Sequence, residues 1–301
     1  MGWKEFVFGI VVLAVIAMLG YYFFFPYNHM NFSPTYNNSN FSVGNSSKMQ
    51  FYENMRYPGS DISYKIEDCP LNKKNNIRDA FGIIDNLTVL GFHSVSSDEE
   101  IYVTCDSRKE MEGNLIVAGE GGPVNIIKTD NFNVILKGEV LILRESQCSL
   151  PNVGMHEIFH ALGFDHSDNP GNVMYPVSDC DQQVGDDIVN TIDKLYSYPS
   201  LTDLSFENVS ATMNGKYLDS NISIRNNGLK DSGDFVLLIY ADEKEVKRID
   251  VKPLQIGYGT TLTFGNLWVS QLSVDEIKFV IEYDSDELNK NNNEIKLKVK
   301  Q

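Results

Sequence analysis

The chain has 301 residues, 42% of them hydrophobic and 22% charged, which excludes a wholly disordered or collagen-like polymer and leaves room for about two domains. Its 41 acidic against 25 basic residues give a formal charge of −16, so a nucleic-acid backbone would be repelled over most of the surface and is not an expected partner. Three of the five histidines fall within eleven consecutive residues, a clustering that average composition does not produce.

From Phe6 to Phe25 no residue is charged, and a helix of that length spans roughly the 30 Å hydrocarbon core of a bilayer. The run ends in Tyr21, Tyr22, Phe23, Phe24 and Phe25, which suits a lipid–water boundary better than the small residues of a cleavage site. Residues 6–25 therefore read as an uncleaved anchor, the rival being a removed signal peptide and a secreted protein. Lys4 precedes the span and no Lys or Arg follows until Lys48, so the positive-inside bias puts the N-terminus in the cytoplasm and the C-terminal bulk outside the cell. Residues 26–60 are rich in Asn, Ser, Tyr and Gly without periodicity and read as a disordered stalk. Asn-x-Ser/Thr sequons lie at Asn31, Asn37, Asn40 and Asn45, and again at Asn86, Asn208 and Asn221, compatible with an exported chain.

Residues 61–199 read as one domain. Asp61 to Glu67 alternates like a strand, and Ile77, Ala80, Phe81, Ile84 and Leu87 step by three and four, as an amphipathic helix does. Ile101 to Thr104, Leu115 to Ala118, Val124 to Ile127 and Val134 to Leu143 read as strands of one sheet, and Asp186 to Tyr198 as a closing helix. Four cysteines in an exported chain favour two bridges over free thiols; their places beside the strands and around the histidine cluster favour Cys69–Cys105 and Cys148–Cys180, and none has the C-x-x-C spacing of a metal site.

Residues 156 to 166 read His-Glu-Ile-Phe-His-Ala-Leu-Gly-Phe-Asp-His. On a helix His156 and His160 project from one face and can grip one cation at the roughly 2.0 Å that zinc requires. Glu157 lies beside that face, placed to accept a proton from a water that the metal activates. Gly163 can end the helix in a left-handed conformation and return His166 as a third ligand. Three protein ligands leave a position open, as catalytic rather than structural zinc sites do. A bare H-E-x-x-H arises by chance; the added Gly163 and His166 make chance a poor account.

Residues 200–301 change in texture. Leu204 to Ala211, Leu218 to Asn226, Phe235 to Ala241, Val246 to Val251, Thr260 to Val269, Glu276 to Tyr283 and Glu294 to Val299 are seven β-rich runs between turn signals, the pattern of an immunoglobulin-like sandwich. The acidic Asp284, Asp286 and Glu287 read as a solvated turn before a calcium site; Ca2+ is not indicated.

The segment from His156 to His166, followed by Asn172-Val173-Met174-Tyr175-Pro176, resembles the metzincin metallopeptidases and most closely their matrixin branch. The resemblance implies one catalytic Zn2+ on His156, His160 and His166, Met174 as a hydrophobic floor beneath the ligands, and Tyr175 and Pro176 along a specificity pocket. The chain departs from that pattern in having no histidine between residues 106 and 147, where the family carries a segment for structural zinc and calcium. Ile222 to Gly228 and Asp284 to Asn293 resemble a CARDB-type module, through which a surface protein or glycan could be bound. The expected fold is α+β: a metzincin-like zincin domain of twisted mixed sheet plus active-site helix, then an all-β sandwich, behind a transmembrane helix. The expected activity is hydrolysis of protein or peptide substrates by activated water, with Glu157 as general base and a substrate strand along the sheet edge near Gly121 to Ile127. The alternative is a cell-surface adhesion or scaffold protein with a vestigial site.

Overall fold

The computed structural model describes residues 2–24, 30–35, 42–44, 49–113, 115–144, 148–271 and 273–299. His29 and the sequon residues Asn37, Asn40 and Asn45 lie outside the described residues, as does Phe25. Helix α1 (Trp3–Phe24) is apolar, with exposed side chains from Phe6 to Tyr21, and is long and apolar enough to cross a bilayer.

The stalk reading of 26–60 fails over two described stretches. Residues Met30–Thr35 form strand β1, which enters the C-terminal sandwich. Residues 49–60 belong to the N-terminal domain and include strand β2 (Met55–Arg56). Arg56 is buried there and donates to the carbonyls of Tyr57, Leu195, Tyr198 and Pro58, with its guanidinium 4.2 Å from the Tyr196 ring centroid. Burial lowers its pKa, yet four carbonyl acceptors leave the cation well solvated by protein. In the first stretch Met30 and Phe32 are too few to show a period, and the strand partners of both stretches lie far along the chain.

The N-terminal domain continues with β3 (Asp61–Ile66), α2 (Leu71–Leu87), β4 (Gly91–Ser94), β5 (Ile101–Cys105), the short β6 (Met111–Glu112) and β7 (Leu115–Ile116), then β8 (Gly119–Lys128), β9 (Asn133–Ile142), α3 (Asn152–Ala161) and α4 (Asp186–Tyr196). Strands β4, β3, β5 and β9 run parallel in that spatial order, and β8 pairs antiparallel with β9 as an edge. The expectation that Leu115 to Ala118 joins this sheet is corrected: β7 pairs with β6 in a separate hairpin, and both residues of β7 are exposed. One face of the sheet meets α2 and α3, and Ile62, Ile77, Phe81, Ile101, Val140, Ile158 and Phe159 fill the layer between. Bridges Cys69–Cys105 and Cys148–Cys180 close loops with sequence separations of 36 and 32, each contributing about 4 kcal/mol in the chain-entropy account.

The C-terminal domain is built from β10 (Leu204–Asn214), β11 (Tyr217–Asn226), β12 (Phe235–Ala241), β13 (Lys244–Val251), β14 (Gly259–Trp268), β15 (Glu276–Glu282) and β16 (Glu294–Val299). All pairings are antiparallel. β13-β12-β15-β16 form one layer and β10-β11-β14 the other, with Leu204, Ile222, Ile224, Leu237, Ile239, Phe279 and Leu297 between them. β1 joins the layers: Met30 to Phe32 pair with β10, and Phe32 to Thr35 pair with β16, so Phe32 is where the strand changes sheets. Pro34, which has no N–H to give, sits where β1 pairs with β16 alone. Glu287 does not sit in a solvated turn: it is buried and accepts from the Leu204 amide at 2.8 Å and from Asn293.

The domains share a small core of Val43, Phe132, Val134, Leu229 and Ile256. Arg225 donates to the Lys128 carbonyl at 2.8 Å across the joint, and Asn227 to Asp130 at 3.2 Å. Gly257, at φ +73°, lets the sandwich meet Ile127, which any Cβ there would strike at 2.0 Å.

Candidate metal centre

Helix α3 is buried along its whole length, so its sequence is apolar or small except at His156, Glu157 and His160 and at Asn152, which donates to the Asp179 carbonyl at 2.7 Å. Gly154 allows it to cross α2 closely: a Cβ there would stand 3.2 Å from that of Ala80. The opposite flank lies on the edge strand. A Cβ on Gly121 would come within 2.2 Å of the Glu157 carbonyl oxygen, and one on Gly119 within 2.7 Å of the Glu157 side chain. The alternate glycines of β8 therefore let the helix backbone that carries Glu157 rest directly on the strand.

The helix ends at Gly163, whose φ of +93° lies in the left-handed region, and the Phe164 amide returns to the Phe159 carbonyl at 3.0 Å. The turn is clamped from the N-terminal stretch. Phe51 and Asp165 amides donate to the Gly163 and Met49 carbonyls, and the Phe51 ring stacks on His160 with centroids 5.6 Å apart.

The three imidazoles converge. His160 Nε2 lies 3.0 Å from His156 Nε2 and 3.2 Å from His166 Nε2. His156 Nδ1 lies 2.7 Å from the Val173 carbonyl oxygen and His160 Nδ1 2.8 Å from that of Phe164. A carbonyl only accepts, so both Nδ1 atoms carry the proton and both Nε2 atoms present lone pairs to one another. Burial lowers the pKa of both rings, that of His160 to about 4, with His156 adding to the effect, so neither ring supplies a second proton near neutral pH. Facing lone pairs at hydrogen-bond distance repel unless a cation stands between them, and three imidazole nitrogens within 4.8 Å of one another are a donor set that suits zinc. The donors present fit the metal.

Glu157 is 5% exposed and has no hydrogen-bond donor among the described residues. Burial, with Glu120 adding its charge, pushes its carboxyl up to about 8. The loop after His166 is fixed from within. Asn172, buried, accepts the Met174 amide at 2.9 Å on its side chain, and the Val173 amide donates to Gln183 at 2.8 Å, which holds the carbonyl that fixes His156. Met174 is fully buried, Tyr175 half-buried and Pro176 exposed. Sequence reasoning did not find Phe51, the carbonyls of Val173 and Phe164, or Gly119, and it placed Gly121 on the substrate edge without its contact to α3. The alternation Gly119-Glu120-Gly121 was the one available signal, since paired glycines on a strand mark a close backbone approach.

A family model described as Matrixin matches residues 56–197, and one described as CARDB matches residues 199–297. No curated protein matches the chain. Among solved structures, the chain is similar to the CARDB domain of a Pyrococcus furiosus protein crystallised in complex with di-metal ions, at 19% identity and a TM-score of 0.28, covering 33% of this chain and 88% of that one.

Proposed function

Because the chain carries a matrixin domain over residues 56–197 and a CARDB domain over 199–297, we propose that it is a zinc-dependent endopeptidase, anchored in a membrane by α1 with both domains on the extracellular side. The observation that carries this reading is the convergence of three imidazole Nε2 atoms beside an unengaged, buried carboxyl. Zinc, when bound, would polarise a scissile carbonyl and make a water acidic enough to attack it near neutral pH. His156, His160 and His166 would hold the ion, the first two in tautomers set by Val173 and Phe164. Glu157 takes the water's proton on its carboxylate and delivers it to the leaving amine nitrogen as the C–N bond breaks. Its burial favours the protonated state that the second transfer needs, and the positive charge of a bound zinc ion would favour the carboxylate that the first transfer needs.

An extended substrate segment pairs antiparallel with the outer edge of β8, near Gly121 to Ile127, since β8 pairs only with β9 among the described residues and runs past Glu157. Met174 serves as the floor beneath the histidines, with Tyr175 and Pro176 along the specificity pocket.

The test uses the full chain in detergent. One zinc per chain, casein digestion abolished by a chelator and restored by zinc, and loss of that activity in Glu157→Gln with zinc retained are the expected results. Stoichiometric zinc without proteolysis on any peptide library would favour the scaffold alternative, and absence of zinc uptake would overturn both the metal site and the activity.

A further inference from the structure

The outer face of the β10-β11-β14 layer is polar along most of its length, with Thr212, Asn221, Ser223, Thr261 and Thr263 in sequence-alternating positions. At one end it changes character. Tyr217 and Trp268 are directly paired across β11 and β14 and are 45% and 60% exposed. The Lys216 Nζ lies 5.9 Å from the Trp268 ring centroid.

Register fixes which end this is. Met30, the first residue of β1, pairs with Met213; Met213 pairs with Leu218, and Leu218 with Leu267. The next row outward is Asn214, Tyr217 and Trp268, on the side from which the chain arrives from α1. Only six peptide links separate Phe24 from Met30, so their Cα atoms stand at most about 22 Å apart. Covalent length thus keeps the β1 edge of this end of the sandwich within about 22 Å of the apolar helix, with the aromatic pair on the two strands beyond β10.

We infer that this end of the sandwich is seated on the bilayer, with Tyr217 and Trp268 in the headgroup boundary and Lys216 beside lipid phosphate. The inference rests on the reading of α1 as a membrane span. Trp and Tyr, each with an apolar body and a polar tip, are the residues that favour this boundary, and lysine reaches phosphate on a flexible apolar stem. The surrounding turns carry both signs, Lys244 and Lys298 with Asp242, Glu243 and Asp275, so the end is not a block of acidic charge. The consequence is a fixed height. Arg225 and Asn227 touch the N-terminal domain at the far end of β11, and ten residues of strand measure about 30 Å. The sandwich is then a pedestal that holds the His156 to His166 site well clear of the lipid, where protein segments standing off the membrane would be reached.

The chain holds two tryptophans, Trp3 and Trp268, which makes the test direct. Full-length Trp3→Phe is placed in phosphatidylcholine nanodiscs with or without bromine near the headgroup, and Trp268 emission is read; Trp268→Phe reports Trp3 in the same discs. Seating predicts that brominated lipid removes about half of the Trp268 emission, as for an interfacial tryptophan. Trp3 quenched with Trp268 untouched overturns the seating and leaves the span standing. Failure of either variant to enter discs, with Trp3 unquenched, overturns the span itself. Trp268 shielded from aqueous iodide only at high protein density, and not quenched by bromine, assigns the pair to a contact between copies and also overturns the seating.

Discussion

Two buried polar clusters, one in each domain, are completed in opposite ways. In the sandwich, Asn226 is fully buried and fully paired: its amide nitrogen donates to the Lys230 and Leu254 carbonyls, and its oxygen accepts from the Gly228 and Asp203 amides. In the N-terminal domain, His156 and His160 are paired only at Nδ1, with their Nε2 atoms turned on each other, and Glu157 has no donor among the described residues. A paired buried amide stabilises and specifies a fold; an unpaired one costs free energy and persists where something else completes it. The incomplete cluster is thus where a ligand belongs, and the complete one is architecture.

That contrast is sharpest under substitution. Glu157→Gln keeps the volume and removes the base, so kcat on casein falls by at least about 100-fold, while the thermal transition of the N-terminal domain holds or rises, because folding no longer has to take up a proton to keep the buried carboxyl neutral. If the activity survived, Glu157 would not be the base. Asn226→Ala inverts the pattern. It orphans two carbonyls and two amides at the turn that meets the N-terminal domain, and lowers stability by about 2 to 4 kcal/mol in urea unfolding, leaving zinc stoichiometry of the folded fraction at one. Phe32→Ala comes next, at about 3 kcal/mol, because it removes the side chain with which β1 is held between the two layers. It is read in the same urea titration, and no change would mean that β1 is not part of the sandwich in solution. For the same reason, a soluble fragment beginning at residue 58 would lack β1, Phe51 and Arg56, and would not represent either domain.

Much of this was legible in the sequence, for identifiable reasons. The histidine site is compressed into eleven residues because helix pitch places i and i+4 together, and Gly163 marks the reversal. The seven strands from residue 204 onward stand out because each is a β-rich run bounded by turn signals; the structure moves their ends by no more than three residues. β1 was hidden. Its pairings join residues about 180 to 260 positions apart, and its composition matches the Asn- and Ser-rich chain around it. Strand β4, Gly-Phe-His-Ser, was missed because four residues with one large apolar side chain carry no period. β8 was read only at Val124 to Ile127 because its first half, Gly-Glu-Gly-Gly-Pro, looks like a turn; Gly119 and Gly121 are there to admit α3, a reason that exists only in the packed structure.

The smallest effect expected is one of pH, and it separates the domains again. Asp203 and Glu287 sit together at the base of the sandwich, and burial raises both pKa values above the ordinary 3.8 and 4.5. Asp130 raises Asp203 further and Asp203 raises Glu287, while hydrogen bonds from Asn292, Leu204 and Asn293 and the charge of Lys290 oppose the rise. Each group therefore binds its proton more tightly in the folded than in the unfolded state. Between the ordinary carboxylate values and the raised ones the folded chain holds more protons, so stability falls as pH rises through that window and is level above it. The exposed pairs Lys65–Glu67 and Lys278–Glu243 lower their carboxylates and tilt the other way, but solvent screens them. Scanning calorimetry from pH 4 upward checks the sign: the sandwich transition moves down as pH rises, and Asp203→Asn, which removes the charge and keeps the shape, flattens the slope. A transition that instead rises across this window would mean that the hydrogen bonds to these carboxylates outweigh their burial, and that this polar cluster favours the charged state after all.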